Sequence, residues 1–203
     1  MKLKDKIRPS DPPLEDDIYD AVCVMVADVG QQVNPFNQKI ENRVLFLFEI
    51  PSQIVERDGK QAPRTIPRWF NYTVDDKGAL KPALTSWLGK SNMTKSEMLD
   101  LDLFDFAGMG ARIMTGIGDN GKNKIENIKP LKRGVSIPKN SSPILTFDID
   151  EDGFESEAFF ALPDWVQEII EKSEQYQQDP PSKKLDMPEE EGTADGNEEG
   201  CPI

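Results

Sequence analysis

The stretch Arg64-Thr-Ile-Pro-Arg-Trp-Phe-Asn-Tyr-Thr-Val74, followed by Ala79-Leu-Lys-Pro-Ala-Leu-Thr-Ser-Trp-Leu88, changes its period within a few residues. The first part is rich in aromatic and β-branched residues and suits a strand, with Pro67 pointing to an edge or a bulge. The second places Leu80, Leu84, Trp87 and Leu88 on one helical stripe and stops at Gly89. Another short helix is expected from Thr94, because Thr94-Lys-Ser-Glu97 has capping-box spacing, in which hydroxyl and carboxylate each satisfy a free backbone N–H. Strand-like segments lie on either side. Residues 18–29 are apolar on both alternating faces apart from Asp20 and Asp28, as expected of a strand covered on both sides. Residues 43–50 put Val44, Phe46, Phe48 and Ile50 on one face. Residues 111–117 and 124–131 flank the hairpin turn Asp119-Asn-Gly121. Residues 30–42, with Asn34-Pro-Phe-Asn37, read as a loop, and residues 51–63, with Asp58-Gly59 and two prolines, as an exposed connection.

The order is therefore β-β-β-α-β-β. It matches a mainly β fold, a five-stranded OB barrel with helices between strands 3 and 4 plugging one end. Residues 144–150 can add a strand, and residues 163–176 form a helix with Trp165, Ile169 and Ile170 available for docking. The expected organisation is a flexible arm over 1–16 and an OB domain over 17–134. An extension over 135–176 packs its helix on the barrel, and an acidic tail over 177–203 is too rich in Pro, Glu, Gly and Asp to form a core.

Composition excludes several classes. With no histidine, Ser-His and Cys-His catalysis and histidine-ligated metals drop out, and neither an enzyme nor a cofactor is expected. Cys23 and Cys201 are too few and too far apart for a disulfide framework or a zinc site. No apolar run spans a bilayer, and the charged start Met-Lys-Leu-Lys-Asp-Lys leads into no apolar leader core, so a cytoplasmic protein is expected. The net charge of −13 is unevenly distributed. Residues 1–134 hold 20 Lys and Arg against 19 Asp and Glu, whereas residues 135–203 hold 4 against 18. The acidity belongs to the C-terminal third.

The stretches Arg43-Val-Leu-Phe-Leu-Phe-Glu-Ile50, Phe70-Asn-Tyr-Thr73, Ser86-Trp-Leu-Gly-Lys90 and Leu162-Pro-Asp-Trp-Val-Gln-Glu168 resemble phage and prophage single-stranded DNA-binding proteins of the OB type. The resemblance spans roughly residues 19–176. It implies a non-catalytic replication or recombination accessory protein in the cytoplasm of a bacterial host, coating exposed strands cooperatively or as a small homo-oligomer. The C-terminal Asn197-Glu-Glu-Gly-Cys-Pro-Ile203 looks like the acidic tip of bacterial single-strand binders, which implies partner docking through Glu198, Glu199, Pro202 and Ile203. Ile closes the chain where that group usually has Phe, and Gly interrupts the acidic run.

A sequence-neutral binder needs cations along the phosphate path and aromatic faces for stacking, each worth about 1–3 kcal/mol per base. Strand 3 offers Arg64, Arg68, Trp69, Phe70 and Tyr72 within nine residues. Alternation sets Trp69 opposite to Phe70 and Tyr72 unless Pro67 introduces a bulge, and a core role for each ring competes with stacking. Arg64 and Arg68 share a parity and are expected to face solvent together. Arg43 lies opposite the Phe46 and Phe48 pair, while Phe36 and Lys39 in the first loop, and Lys122 and Lys124 beside the last hairpin, sit where OB loops close over a ligand. Loop lysines are by default simply solvated.

Three other readings compete: an OB protein-interaction module without DNA binding, a carboxylate-metal nuclease using Asp100, Asp102 and Asp105, and a calcium loop. For the last, Asp148, Asp150, Asp152 and Gly153 match the first half of an EF-hand loop, but Phe159 stands where the bidentate Glu belongs. The tail carboxylates have a mechanism of their own, occupying the basic groove until DNA displaces them, against the plain alternative of a solubilising extension. Deleting residues 179–203 is expected to tighten binding to oligo-dT in a low-salt titration; unchanged affinity removes the competition mechanism.

Overall fold

A computed structural model of the chain describes residues 13–34, 38–57, 59–118 and 121–180. Its elements run β1 (Ile18–Val33), β2 (Ile40–Arg57), β3 (Lys60–Asn71), α1 (Leu80–Trp87), α2 (Lys95–Leu99), a 3-10 turn (Leu103–Phe106), β4 (Gly110–Ile117), β5 (Asn123–Lys129), β6 (Leu145–Phe147), α3 (Glu157–Ala161), α4 (Asp164–Ile170) and α5 (Glu174–Gln178). The fold is mainly β, with the helices between the third and fourth strands where the period change put them. Thr94 caps α2 as expected: its hydroxyl accepts from the Glu97 N–H at 3.2 Å, and the Glu97 carboxylate accepts from the Thr94 N–H at 2.8 Å.

The ladder order is β3-β2-β1-β4-β5, all antiparallel, with β6 parallel to β1. The sheet has six strands and is open: among the described residues no ladder joins β3 to β5, where a closed five-stranded barrel requires one. Side chains span that seam instead. Arg64 Nη2 donates to Asn123 Oδ1 at 3.0 Å, and Arg68 Nη1 donates to the Ile125 carbonyl. β3 carries Pro63 and Pro67, and proline inside a strand belongs at an edge.

β1 is covered on both faces, as its sequence indicates. Ala21, Cys23 and Val26 join the inner core with Phe46, Phe48, Phe70, Trp87 and Phe106. Val22, Val24, Met25, Ala27 and Val29 join an outer core with Leu45, Leu47, Phe147, Phe159, Val166 and Ile170. The register shift between Cys23 and Met25 explains why Val24 and Met25 fall on the same side: the bulge inserts one residue and reverses the parity beyond it. Trp87 is the plug. Its ring lies 4.9 Å from Phe106 and 5.3 Å from Phe48 between centroids, and its indole N–H donates to the Gly110 carbonyl at 3.0 Å.

Several boundaries move. β2 and β3 extend into 51–63 as a hairpin arm, with Ile54 opposite Pro63 and Arg57 opposite Lys60, so residues 51–57 and 60–63 are strand rather than loop. The bulge falls between Ile50 and Ile54, and the register runs unbroken through Pro67. At the N-terminus Leu14 is buried, with its N–H on Asn123 Oδ1 at 2.8 Å, so ordered packing begins before residue 17. The single helix expected over 163–176 is interrupted, because the buried Ser173 accepts from the Tyr176 N–H and starts α5 afresh. Most of the arm, residues 1–12, most of the tail, residues 181–203, and the turn residues 119–120 lie outside the described residues.

Between β5 and β6 the chain crosses the outer face of the sheet, held there by one buried carboxylate. Glu49 is fully buried and accepts from the N–H groups of Ser141 and Ser142 at 2.7 and 2.9 Å. A carboxylate–amide bond contributes about 1.5–3 kcal/mol. Glu49→Ala is therefore expected to lower stability by about 3 kcal/mol in urea unfolding, with Glu49→Gln intermediate because its amide keeps one acceptor oxygen.

Candidate nucleic-acid interface

The strand-3 residues divide between the two faces by alternation. Arg64, Ile66, Arg68 and Phe70 point to the inner side, opposite Ile50, Phe48, Phe46 and Val44. The expectation that Arg64 and Arg68 face solvent together is thus corrected: they share the parity of the core. Arg64 is 8% exposed. Arg68 is half-buried, its guanidinium 5.2 Å from the Phe70 ring centroid, and burial holds its pKa below the usual arginine value. Phe70 is 2% exposed and packs edge-on against Phe46, which excludes it as a stacking surface.

Trp69 points the other way, onto the outer face of β2 and β3. The Arg43 guanidinium lies over its ring, 5.5 Å from the centroid, and Trp165 from α4 meets it edge-on at 6.3 Å. Trp69 is half-buried and Trp165 is 36% exposed. Among the described residues the Arg43 Nε is buried without a hydrogen-bond partner, and the contact of the guanidinium with the ring is worth about 0.5–2 kcal/mol. Trp165 is the residue that the strand-3 reading missed. Its signal was a tryptophan on a helix whose buried stripe, Val166 and Ile170, leaves it at the edge.

The two expected ligand loops lie at separate points along β3, one at its C-terminal end and one beside Arg64. The loop holding Lys39 closes beside Asn71, since Asn34 and Asn71 both donate to Glu41. The loop holding Lys122 closes beside Arg64 through Asn123. Seven residues of strand separate Arg64 from Asn71, about 23 Å at ~3.3 Å per residue. Lys39, Lys122 and Lys124 are exposed, and Lys124 pairs with Glu126 at 3.2 Å. Phe36 and the tail residues Glu198, Glu199, Pro202 and Ile203 lie outside the described residues.

Tyr72 is 58% exposed but stands on the rim of a cleft of about 330 Å³ lined by Asp28, Asp102, Asp148, Asp150 and Glu151 over Val44 and Phe104. Burial, and then the charges of Asp148 and Asp150, push the Asp28 carboxyl above its usual range, while its bond from the Gly30 N–H opposes the shift. Such a rim repels phosphates, so Tyr72 is poorly placed as a stacking residue for a polyanion. The aspartates of the other readings make local turns. Asp148 accepts from the N–H groups of Asp150 and Glu151, Asp152 accepts from that of Asp148, and Asp102 caps the 3-10 turn through the Phe104 N–H. Among the described residues no three acidic, cysteine or histidine side chains gather as metal ligands would.

No family model matches the chain, and no curated protein and no solved structure matches it either. Among the described residues no helix is long and apolar enough to cross a membrane.

Cys23 marks how closed the inner core is. It is fully buried, and desolvation pushes its thiol from 9.0 up to about 12. In a Cys201→Ser background, a disulfide-exchange reagent is expected to leave the native protein unlabelled at pH 8 and to label one thiol after unfolding. Because burial penalises the thiolate, this group leaves stability unchanged below pH 9.0 and lowers it as pH rises towards 12, at up to about 1.4 kcal/mol per pH unit.

Proposed function

We propose that the chain binds single-stranded DNA without sequence preference, by stacking and phosphate electrostatics, on an OB-type barrel whose β3–β5 seam is bridged by side chains. The strand order supports the fold reading: β1 pairs with both β2 and β4, and the outer strands β3 and β5 approach each other through Arg64 and Arg68. The observation that carries the function is the Arg43, Trp69 and Trp165 cluster. It lies on the outer face of β2 and β3, where OB folds take oligomers, and combines two partly exposed rings with a cation. The acidic C-terminal segment competes for the basic surface and recruits replication or recombination partners once displaced.

A second reading, an interaction module without DNA binding, is favoured by the carboxylate-lined cleft beside Tyr72, which suits a basic partner. One titration separates the two. Oligo-dT is expected to quench tryptophan emission, to bind more tightly than duplex of equal length, and to weaken steeply as salt rises. Trp69→Leu and Trp165→Leu are each expected to lower affinity by about 1–3 kcal/mol and to remove part of the quench, because the buried Trp87 reports on the core alone. Absence of oligo-dT binding at low salt overturns the DNA reading in favour of the interaction module.

A further inference from the structure

The outer face of β2 and β3 is partly occupied by the chain itself. Glu49 holds residues 141 and 142 across it, and Trp165 rests against Trp69. A strand stacked at Trp69 therefore needs a phosphate path that leaves this face, and charge narrows the choice. Among the described residues, the cleft beside Tyr72 is lined by five carboxylates and no cation, and the depression between residues 149–156 and α5 by Asp150, Asp152, Glu155 and Asp179 without a cation.

The cations gather between α1 and β5. Two adjoining depressions of about 570 and 340 Å³ share Pro82 and Ser86 in their walls, and together they hold Lys81, Lys90, Lys129 and Arg68 against Asp76 and Glu126. Both of those carboxylates are already paired, Asp76 with Lys81 and Glu126 with Lys124. Lys90 reaches Glu97 at 3.3 Å through a half-exposed pair that a phosphate can replace. Lys129 is exposed and forms no ion pair among the described residues, and the exposed Lys132 and Arg133 follow just beyond Pro130. Arg68, in the wall of the smaller depression, immediately precedes Trp69 on β3, so the groove starts across the strand from the aromatic cluster.

We infer that the groove between α1 and β5 is the phosphate track of a single-stranded polynucleotide, with Lys90 and Lys129 as its principal cations. The track passes around the edge strand β3, so that one base stacks at Trp69 while the backbone behind it runs along α1 towards Lys132 and Arg133. This assignment rests on the single-strand reading above.

The test uses the full chain and fluorescein-labelled oligo-dT, measuring anisotropy over a salt series. Lys90→Gln with Lys129→Gln is expected to weaken binding about tenfold at low salt and to reduce the salt slope by about 1.4, near 0.7 for each lost phosphate contact. Lys60→Gln with Lys172→Gln, an equal charge change on the hairpin arm and beside α4, is expected to leave the slope unchanged. If wild type binds and the groove variant retains its affinity and slope, the track is overturned and the single-strand reading stands. Equal loss in both variants also overturns the track, since it shows attraction to overall charge alone. Failure of the wild type to bind overturns the single-strand reading and the track with it.

Discussion

Everything in this molecule depends on β1 being apolar on both faces. One strand of 16 residues supplies wall to two cores, pairing with β4 over its first part, with β2 over most of its length and with β6 near its middle. A strand buried on both sides has no face to give to solvent, so the chain must return to cover it twice. The return on the inner side is made by α1 and its Trp87, and on the outer side by β6 and the short C-terminal helices. The bulge at Cys23–Met25 lets one strand serve both, because it turns a run of valines into two half-patterns of opposite parity.

The same constraint shapes the surface. Covering the outer core draws the 135–170 segment over β1 and β2, which buries Glu49 and brings Trp165 to Trp69. An isolated carboxylate there would be costly, and the two amides of Ser141 and Ser142 give it the partners that burial demands. Charge is then unevenly spread: carboxylates line the cleft near Asp28 and Asp148, while Lys81, Lys90 and Lys129 line the depression beside α1 and β5.

Much of the fold was legible in the residues. The helical stripe of Leu80, Leu84 and Trp87, the capping box at Thr94 and the alternation around Phe46 and Phe48 are local patterns, and each element formed where its pattern lay. The hairpin arm over 51–63 was not legible, because its prolines mark a connection in sequence and become tolerable only at the edge of a ladder. The helix break at Ser173 was hidden for a related reason: a serine becomes a cap only when the preceding turn ends and its hydroxyl meets a free N–H.

The sequence by itself determined the order of elements, the opposite orientations of Trp69 and Phe70, the two-sided burial of β1 and the confinement of acidity to the last third. These follow from side-chain period and composition, which are properties of neighbours in the chain. Only the tertiary structure decided which parity of β3 faces inward, and so turned Arg64 and Arg68 from surface cations into bridges across the seam to β5. It also decided that Trp165 joins Arg43 and Trp69, and that Tyr72 stands over carboxylates. Period two separates the faces of a strand but does not say which face the rest of the chain will cover; that depends on contacts between residues far apart in sequence.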